Sequence, residues 1–253
     1  MNNKLTFSVK HPIWTVTIIE LLVIILMTAA GAYATIMELD YTAPVLIAFA
    51  PIALALMIYF TWRRKWQRIG FRSLRTISRS DWLYYLPLIA VLVLYAMNGI
   101  KPVTGSEVLY CLFVALLVGF VEETIYRGLI FQTLVKKSIP AAVITSTLLF
   151  FLTHMLNLLS GQDMLDTVLQ LIYALLIGLT LVLFVLKTGN IIPGILFHFV
   201  HNLFQDQFIG NTSTMTQIII VMCVMAAVST WLAIDLKRTK QWRQWVISGT
   251  VNG

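Results

Sequence analysis

The sequence predicts an all-α protein that crosses a lipid bilayer about eight times, and three observations carry that expectation. The chain is 59% hydrophobic and only 11% charged over 253 residues, with a mean hydropathy of +0.86, far outside the range of soluble domains. Apolar stretches of roughly 20 residues, the helix length that spans ~30 Å of hydrocarbon, recur from end to end. The lysines and arginines collect on alternate connections between those stretches, the pattern that sets the orientation of a multi-pass protein.

The first stretch, Ile13 to Ile36, follows basic residues and contains "AYA", so it has some look of a secretory signal. Its apolar span is too long for one and Glu20 interrupts it, so an uncleaved helix is expected. The second, Ala43 to Trp62, runs into the basic cluster "RRKWQRIGFRSLRTISR". The third, Trp82 to Met97, leads to a connection whose one basic residue is Lys101, and the fourth, Val108 to Leu134, ends at Lys136 and Lys137. The fifth and sixth are Pro140 to Leu159 and Thr167 to Leu186, the latter followed by Lys187. The seventh and eighth are Ile191 to Phe208 and Gln217 to Leu236, with the basic tail "KRTKQWR" after the last. Together with Lys4 and Lys10, all of these basic residues except Lys101 fall on one side. A miscounted helix in mid-chain would destroy that asymmetry, so both termini are expected in the cytoplasm.

No connection is long enough for a soluble domain, so residues 1–253 read as one multi-pass domain of the cell membrane. The net charge of +7 is explained by attraction of the cytoplasmic face to anionic lipid, and no nucleic-acid partner is implied. The two cysteines, Cys111 and Cys223, lie on different helices without CxxC spacing and are expected to be small buried hydrophobes.

Within the fourth stretch, "LLVGFVEETIYRGLIFQTL" places Glu122, Glu123 and Arg127 in a membrane helix. Each ionised side chain at mid-bilayer costs about 2.5 to 3.5 kcal/mol on insertion scales, or about 8 for the three. They must therefore face protein or trapped water. Glu123 and Arg127 are four apart with the acid first, the favourable order for a helical ion pair, while Glu122 points about 100° away and is left to meet something else. Three of the four histidines also fall inside expected spans, as His154, His198 and His201. At about 1.5 Å rise per residue, Glu122, His154 and Asn202 come out roughly level, with His198 nearby. Phe150 and His154 share a helix face, so the aromatic ring can fix the imidazole or wall off lipid. His198 and Asn202 also share a face; His201 is only loosely on that side and is expected to pack. Asp206, near the outer end of its helix, is expected simply to be wet.

A carboxylate and imidazoles around one point can activate water, with Glu122 as general base in a desolvated site and His198 and Asn202 donating to the oxyanion of a tetrahedral intermediate. Such a set cleaves amide bonds. The chain has no HExxH, GxGD or GxSG, and neither cysteine shares a helix face with a histidine. Histidines with Glu122 are a conceivable zinc set, but they lack the local spacing of such sites, so no metal and no cofactor is expected. A non-catalytic protein that binds another membrane protein, and a transporter using the acids as a proton relay, are the competing classes. Glu20, near the estimated level of Arg127, is expected to compete with Glu123 for that guanidinium.

"EETIYR", "FFLTH" and "HFVHN" resemble, in order, the EExxxR, FxxxH and HxxxN motifs of the CPBP (Abi) family of membrane proteases, which includes the CAAX prenyl endopeptidases and bacterial relatives. The motifs cover residues 122–202. The resemblance implies a glutamate-dependent intramembrane protease with eight helices around a central cavity. It further implies that Glu122 activates water with help from His154, that His198 and Asn202 stabilise the oxyanion, and that Glu123 and Arg127 organise the site. With no soluble domain, the chain looks most like the bacterial members. The resemblance therefore implies a bacterial plasma membrane and a membrane-associated or hydrophobic peptide or protein as substrate. The associated roles are peptide maturation, bacteriocin self-immunity and cell-surface signalling.

Overall fold

Proline positions foreshadow where the helices begin. Five of the seven prolines occupy the first turn of a helix, where a missing N–H costs nothing and the fixed φ is already helical. A computed structural model describes residues 7–40, 42–156, 163–205 and 208–240. After one helical turn at Phe7–Lys10, the apolar helices are α1 (Pro12–Ile36), α2 (Ala43–Arg63), α3 (Asp81–Ala96), α4 (Gly105–Leu134), α5 (Ile139–Leu156), α6 (Met164–Thr188), α7 (Ile192–Leu203) and α8 (Met215–Thr239). Lys4, Asp206 and the expected end of the fifth stretch at Leu159 lie outside the described residues.

All eight apolar stretches are helical, yet among the described residues six are long and apolar enough to cross a membrane. The protein is thus an all-α, multi-pass membrane protein in which α3 and α7 are the two shorter apolar helices among the described residues. At 1.5 Å per residue the 12 residues of α7 reach only about 18 Å. Beyond Leu203 the chain turns back instead of continuing as helix: Ile209 O accepts from Lys101 N at 2.8 Å, and Ile100 pairs with Gly210 as an isolated bridge. Asn98 ties this end together, its Nδ2 donating to Ser213 Oγ and its backbone oxygen accepting from Asn211.

Packing is arranged around α4 and α6. Of their spans, 44% and 50% are buried inside the protein, against 22% for α1, α2 and α5. α4 packs on α7 and α2, α5 and α8 both pack on α6, and α1 packs on α2. The peripheral helices turn large apolar side chains outward, among them Ile13, Trp62, Met97 and Leu109, as a surface solvated by lipid tails demands. Cys223 is exposed and Cys111 only partly covered, contrary to the expectation of burial. A thiol is apolar enough to face lipid and needs no protein cover.

Helix ends are closed by side chains. Thr104 with Glu107 and Thr214 with Gln217 form capping boxes at the starts of α4 and α8, and Ser138 caps α5 beside Lys136 and Lys137; each satisfies N–H groups with no partner within the helix. The end of the bundle that holds Ser138 also gathers the basic residues. The loop after α2 is pinned by a chain of rings, Phe60, Trp66, Phe71 and Phe120, at successive centroid distances of 5.5, 4.7 and 6.0 Å. The buried Asn190 donates to Arg72 O and Ser73 O at 2.9 and 3.2 Å. Lys187, expected as a loop charge, is instead buried between Asp81 (3.1 Å) and Asp235 (2.7 Å), joining the ends of α3, α6 and α8.

The approach of α4 to α7 depends on Gly119. A Cβ there would meet Phe199 N at 3.1 Å and Ile195 O at 3.2 Å, backbone atoms that cannot step aside. Gly119→Val is expected to lower stability by about 1 to 3 kcal/mol, the range for overpacking. Gly31→Ala, at a position with nothing within 4 Å, should be neutral or better. Thermal unfolding of the detergent-solubilised variants checks the pair; equal melting temperatures for Gly119→Val and wild type would contradict the close approach.

Candidate active site

Midway along α4 the helix widens. Residues Thr124–Ile130 form π-helical turns, a feature that recurs at functional sites and begins directly after the two glutamates. The widened segment carries Tyr126 and Arg127, both buried. Glycines make room for the cluster: a Cβ on Gly194 would sit 3.2 Å from Glu123 Oε2, and one on Gly178 3.1 Å from the Phe150 ring.

Glu123 and Arg127 form the expected ion pair, Nη1 to Oε1 at 3.0 Å with both side chains wholly buried. The guanidinium is also held by Gly178 O, which accepts from Nη2 at 3.2 Å, and by the face of Phe150, whose centroid lies 4.3 Å from Cζ. Buried in this way the pair is more costly to break than it is stabilising to form, because either charge left alone would be uncompensated. Glu123 Oε1 has a second partner that helix geometry did not suggest: it accepts from His198 Nδ1 at 3.2 Å. The other ring nitrogen, Nε2, lies 3.4 Å from Glu122 Oε2 without the alignment of a hydrogen bond. Glu122, left by its position round the helix to meet another group, faces His198. His198 stands between the two glutamates.

This geometry constrains protons. A carboxylate only accepts, so Nδ1 carries the hydrogen, and Nε2 can donate only when the ring is an imidazolium. His154 is fixed by the same logic. Its Nδ1 donates to Phe150 O at 2.8 Å, so the neutral ring has its lone pair at Nε2. Its ring packs on Phe150 at 4.6 Å, and that of His198 at 6.1 Å. Phe150, expected to fix one imidazole, thus touches both imidazoles and the guanidinium.

A cavity of about 190 Å³ is lined by Glu122, Phe150, His154, His198 and Asn202, with His201, Gln170 and Tyr173 completing its polar wall. The four side chains expected to do chemistry, drawn from α4, α5 and α7, meet there. Glu123 and Arg127 stand behind it and reach it through His198 and Phe150. His201 is 1% exposed, and its Nε2 is 2.5 Å from the Tyr173 hydroxyl; its ring is flanked by Tyr95, Tyr173 and Phe197. It packs, as expected, and in addition links Asn202 and Gln205 to the tyrosines. Nothing in the spacing of Tyr95 and Tyr173 marks them as its partners. Among the described residues no group of three or more His, Cys, Asp or Glu side chains is set to hold a metal ion.

The expected competition of Glu20 for Arg127 is corrected. Glu20 Oε1 accepts from Thr153 Oγ1 at 3.1 Å, Thr153 meets the Tyr126 hydroxyl, and the carboxylate of Glu123 occupies the guanidinium. Glu20 touches the site through the residue beside His154, not through the ion pair.

Fold and site together define a polytopic membrane protein with a carboxylate and imidazoles converging on one cavity. Residues 104–204, from the cap of α4 to just past α7, match the family described as type II CAAX prenyl endopeptidase Rce1-like. The similarity spans this stretch of the 253-residue chain, and all four cavity side chains lie within it. No curated protein and no solved structure matches the chain.

Arg127→Met is expected to destabilise by about 3 to 5 kcal/mol, because it strands Glu123. Glu123→Gln combined with Arg127→Met should recover most of that loss, since the amide oxygen still accepts from His198. Membrane abundance and thermal unfolding read both, and a single variant as stable as wild type would show the pair to be dispensable.

Proposed function

We propose that the protein is an intramembrane endopeptidase that cleaves a membrane-associated or hydrophobic peptide or protein by glutamate-activated water. The observation that supports this most is that Glu122, His154, His198 and Asn202 line one cavity. Water between Glu122 and His154 Nε2 attacks the scissile carbonyl carbon, and Glu122 takes the proton. The oxyanion accepts hydrogen bonds from His198 Nε2–H and from the Asn202 amide. Collapse of the intermediate breaks the C–N bond, and the proton held by Glu122 passes to the leaving amine. Glu123 orients His198 as a carboxylate orients a catalytic imidazole, and Arg127 holds Glu123 in place. The basic end of the bundle, with both termini, faces the cytoplasm. A bacterial plasma membrane, and a role in peptide maturation or bacteriocin self-immunity, follow from the family resemblance rather than from the site.

Glu122→Ala, His154→Ala and His198→Ala, each confirmed at wild-type membrane level, are expected to lose cleavage by at least about 100-fold, the scale of lost acid–base or oxyanion assistance. Full cleavage by all three would sink the mechanism, and a cellular phenotype that survives without cleavage would favour a binding protein. Cleavage abolished by a chelator and restored by zinc would replace metal-free water activation with metal chemistry.

A further inference from the structure

A second cavity, away from the acid–imidazole cluster, opens at the basic end of the bundle between α1, α2 and the last turns of α4. It encloses about 610 Å³, room for about twenty waters. Arg63, Lys65, Arg68, Lys136 and Lys137 line it, and no aspartate or glutamate is among its described lining residues. Its deeper wall is apolar, formed by Ile19, Phe60 and Leu129 among others. Gln132 also lines it, and Gln132 Nε2 is buried without a hydrogen-bond partner. The cations crowd one another: burial and the neighbouring Arg68 push the Lys136 ammonium below its ordinary range.

A site with guanidinium forks, ammonium groups and an unused amide donor at its mouth, and apolar side chains beneath, suits one kind of occupant. It is a phosphate ester carried on hydrocarbon: guanidinium groups bind phosphate oxygens bidentately, and basic pockets between membrane helices take anionic headgroups. A soluble anion would match the rim but leave the apolar wall unused. We infer that this cavity binds the headgroup and upper chains of an anionic phospholipid. The lipid lies against Gly128 and Leu129, which line the cavity and directly follow Arg127 in the π-helical turns, so it braces the segment that carries the ion pair.

Native mass spectrometry of the purified full chain with phosphatidylglycerol or phosphatidylcholine tests this, together with thermal unfolding in the presence of each lipid. Wild type is expected to retain one phosphatidylglycerol in preference to phosphatidylcholine. The Arg63→Gln, Arg68→Gln, Lys137→Gln triple variant should lose that preference by on the order of tenfold or more, and Gln132→Leu, which keeps every charge, should weaken it by a smaller factor. Arg75→Gln with Arg79→Gln, on the same loop but outside the cavity, should leave it intact. Equal loss in the control variant would mean diffuse attraction of the basic surface and overturn the site. Stabilisation by inorganic phosphate or glycerol phosphate equal to that by the lipid would overturn the lipid assignment in favour of a soluble anion. Melting temperatures without added lipid establish that each variant is folded.

Discussion

The contact between Glu123 and Arg127 is the constraint on which the rest of the structure depends. Two full charges with no exposure are tolerable inside a membrane protein only if each is answered, and the answers come from four helices: the pair itself from α4, Gly178 O from α6, the Phe150 face from α5 and His198 from α7. Satisfying one ion pair therefore draws these helices to a common point. The small residues around it, Gly178 and Gly194, make sense as the space that the pair requires. What looks like a catalytic cluster is, in energetic terms, also the keystone of the bundle.

The same arrangement sets a division of labour between the two acids. Each acid has one buried oxygen without a hydrogen-bond partner, but Glu123 is held through its other oxygen by Arg127 and His198, whereas Glu122 lines the cavity. Low dielectric strengthens every interaction made there, so the acid that reaches the cavity is where the site can still do work. His154, with its lone pair fixed at Nε2 by the Phe150 carbonyl, complements it. Beside them, His201 stacks on Tyr173 and meets Tyr95 edge-on.

Much of this was legible in the sequence. Hydropathy located all eight helices, charge spacing found the Glu123–Arg127 pair, and four-residue spacing put Phe150 beside His154. Several features were not legible, and each for a reason of tertiary structure. A helical wheel assumes one uniform twist, so it could not anticipate the π-helical turns at Thr124–Ile130 or that one imidazole would meet both glutamates. The seventh stretch was drawn past the end of α7 because Leu203, Phe204 and Phe208 flank Gln205, Asp206 and Gln207 with apolar residues, while the turn that ends α7 is stabilised by contacts with Ile100 and Lys101 far away in the chain. Lys187 counted as a loop charge because its partners, Asp81 and Asp235, are about a hundred and about fifty residues distant. Glu20 was assigned to the wrong partner because depth alone cannot say which face of α1 meets α5.

The π-helical segment has one further consequence. A wide turn offsets the helical-wheel phase of everything C-terminal to it: the first half of α4 aims Glu122 at the cavity, the second aims Gln132 and Thr133 at the basic end. Removing one residue from Thr124–Ile130 would let α4 relax to a regular helix of nearly unchanged length and hydropathy. Six residues of regular helix turn about as far as these seven do in their wider turns, so the two halves would stay nearly in phase. What would be lost is the widened turn itself, which carries Tyr126 and Arg127; the irregularity is where a single helix gains room for a buried cation without changing the direction of its two ends.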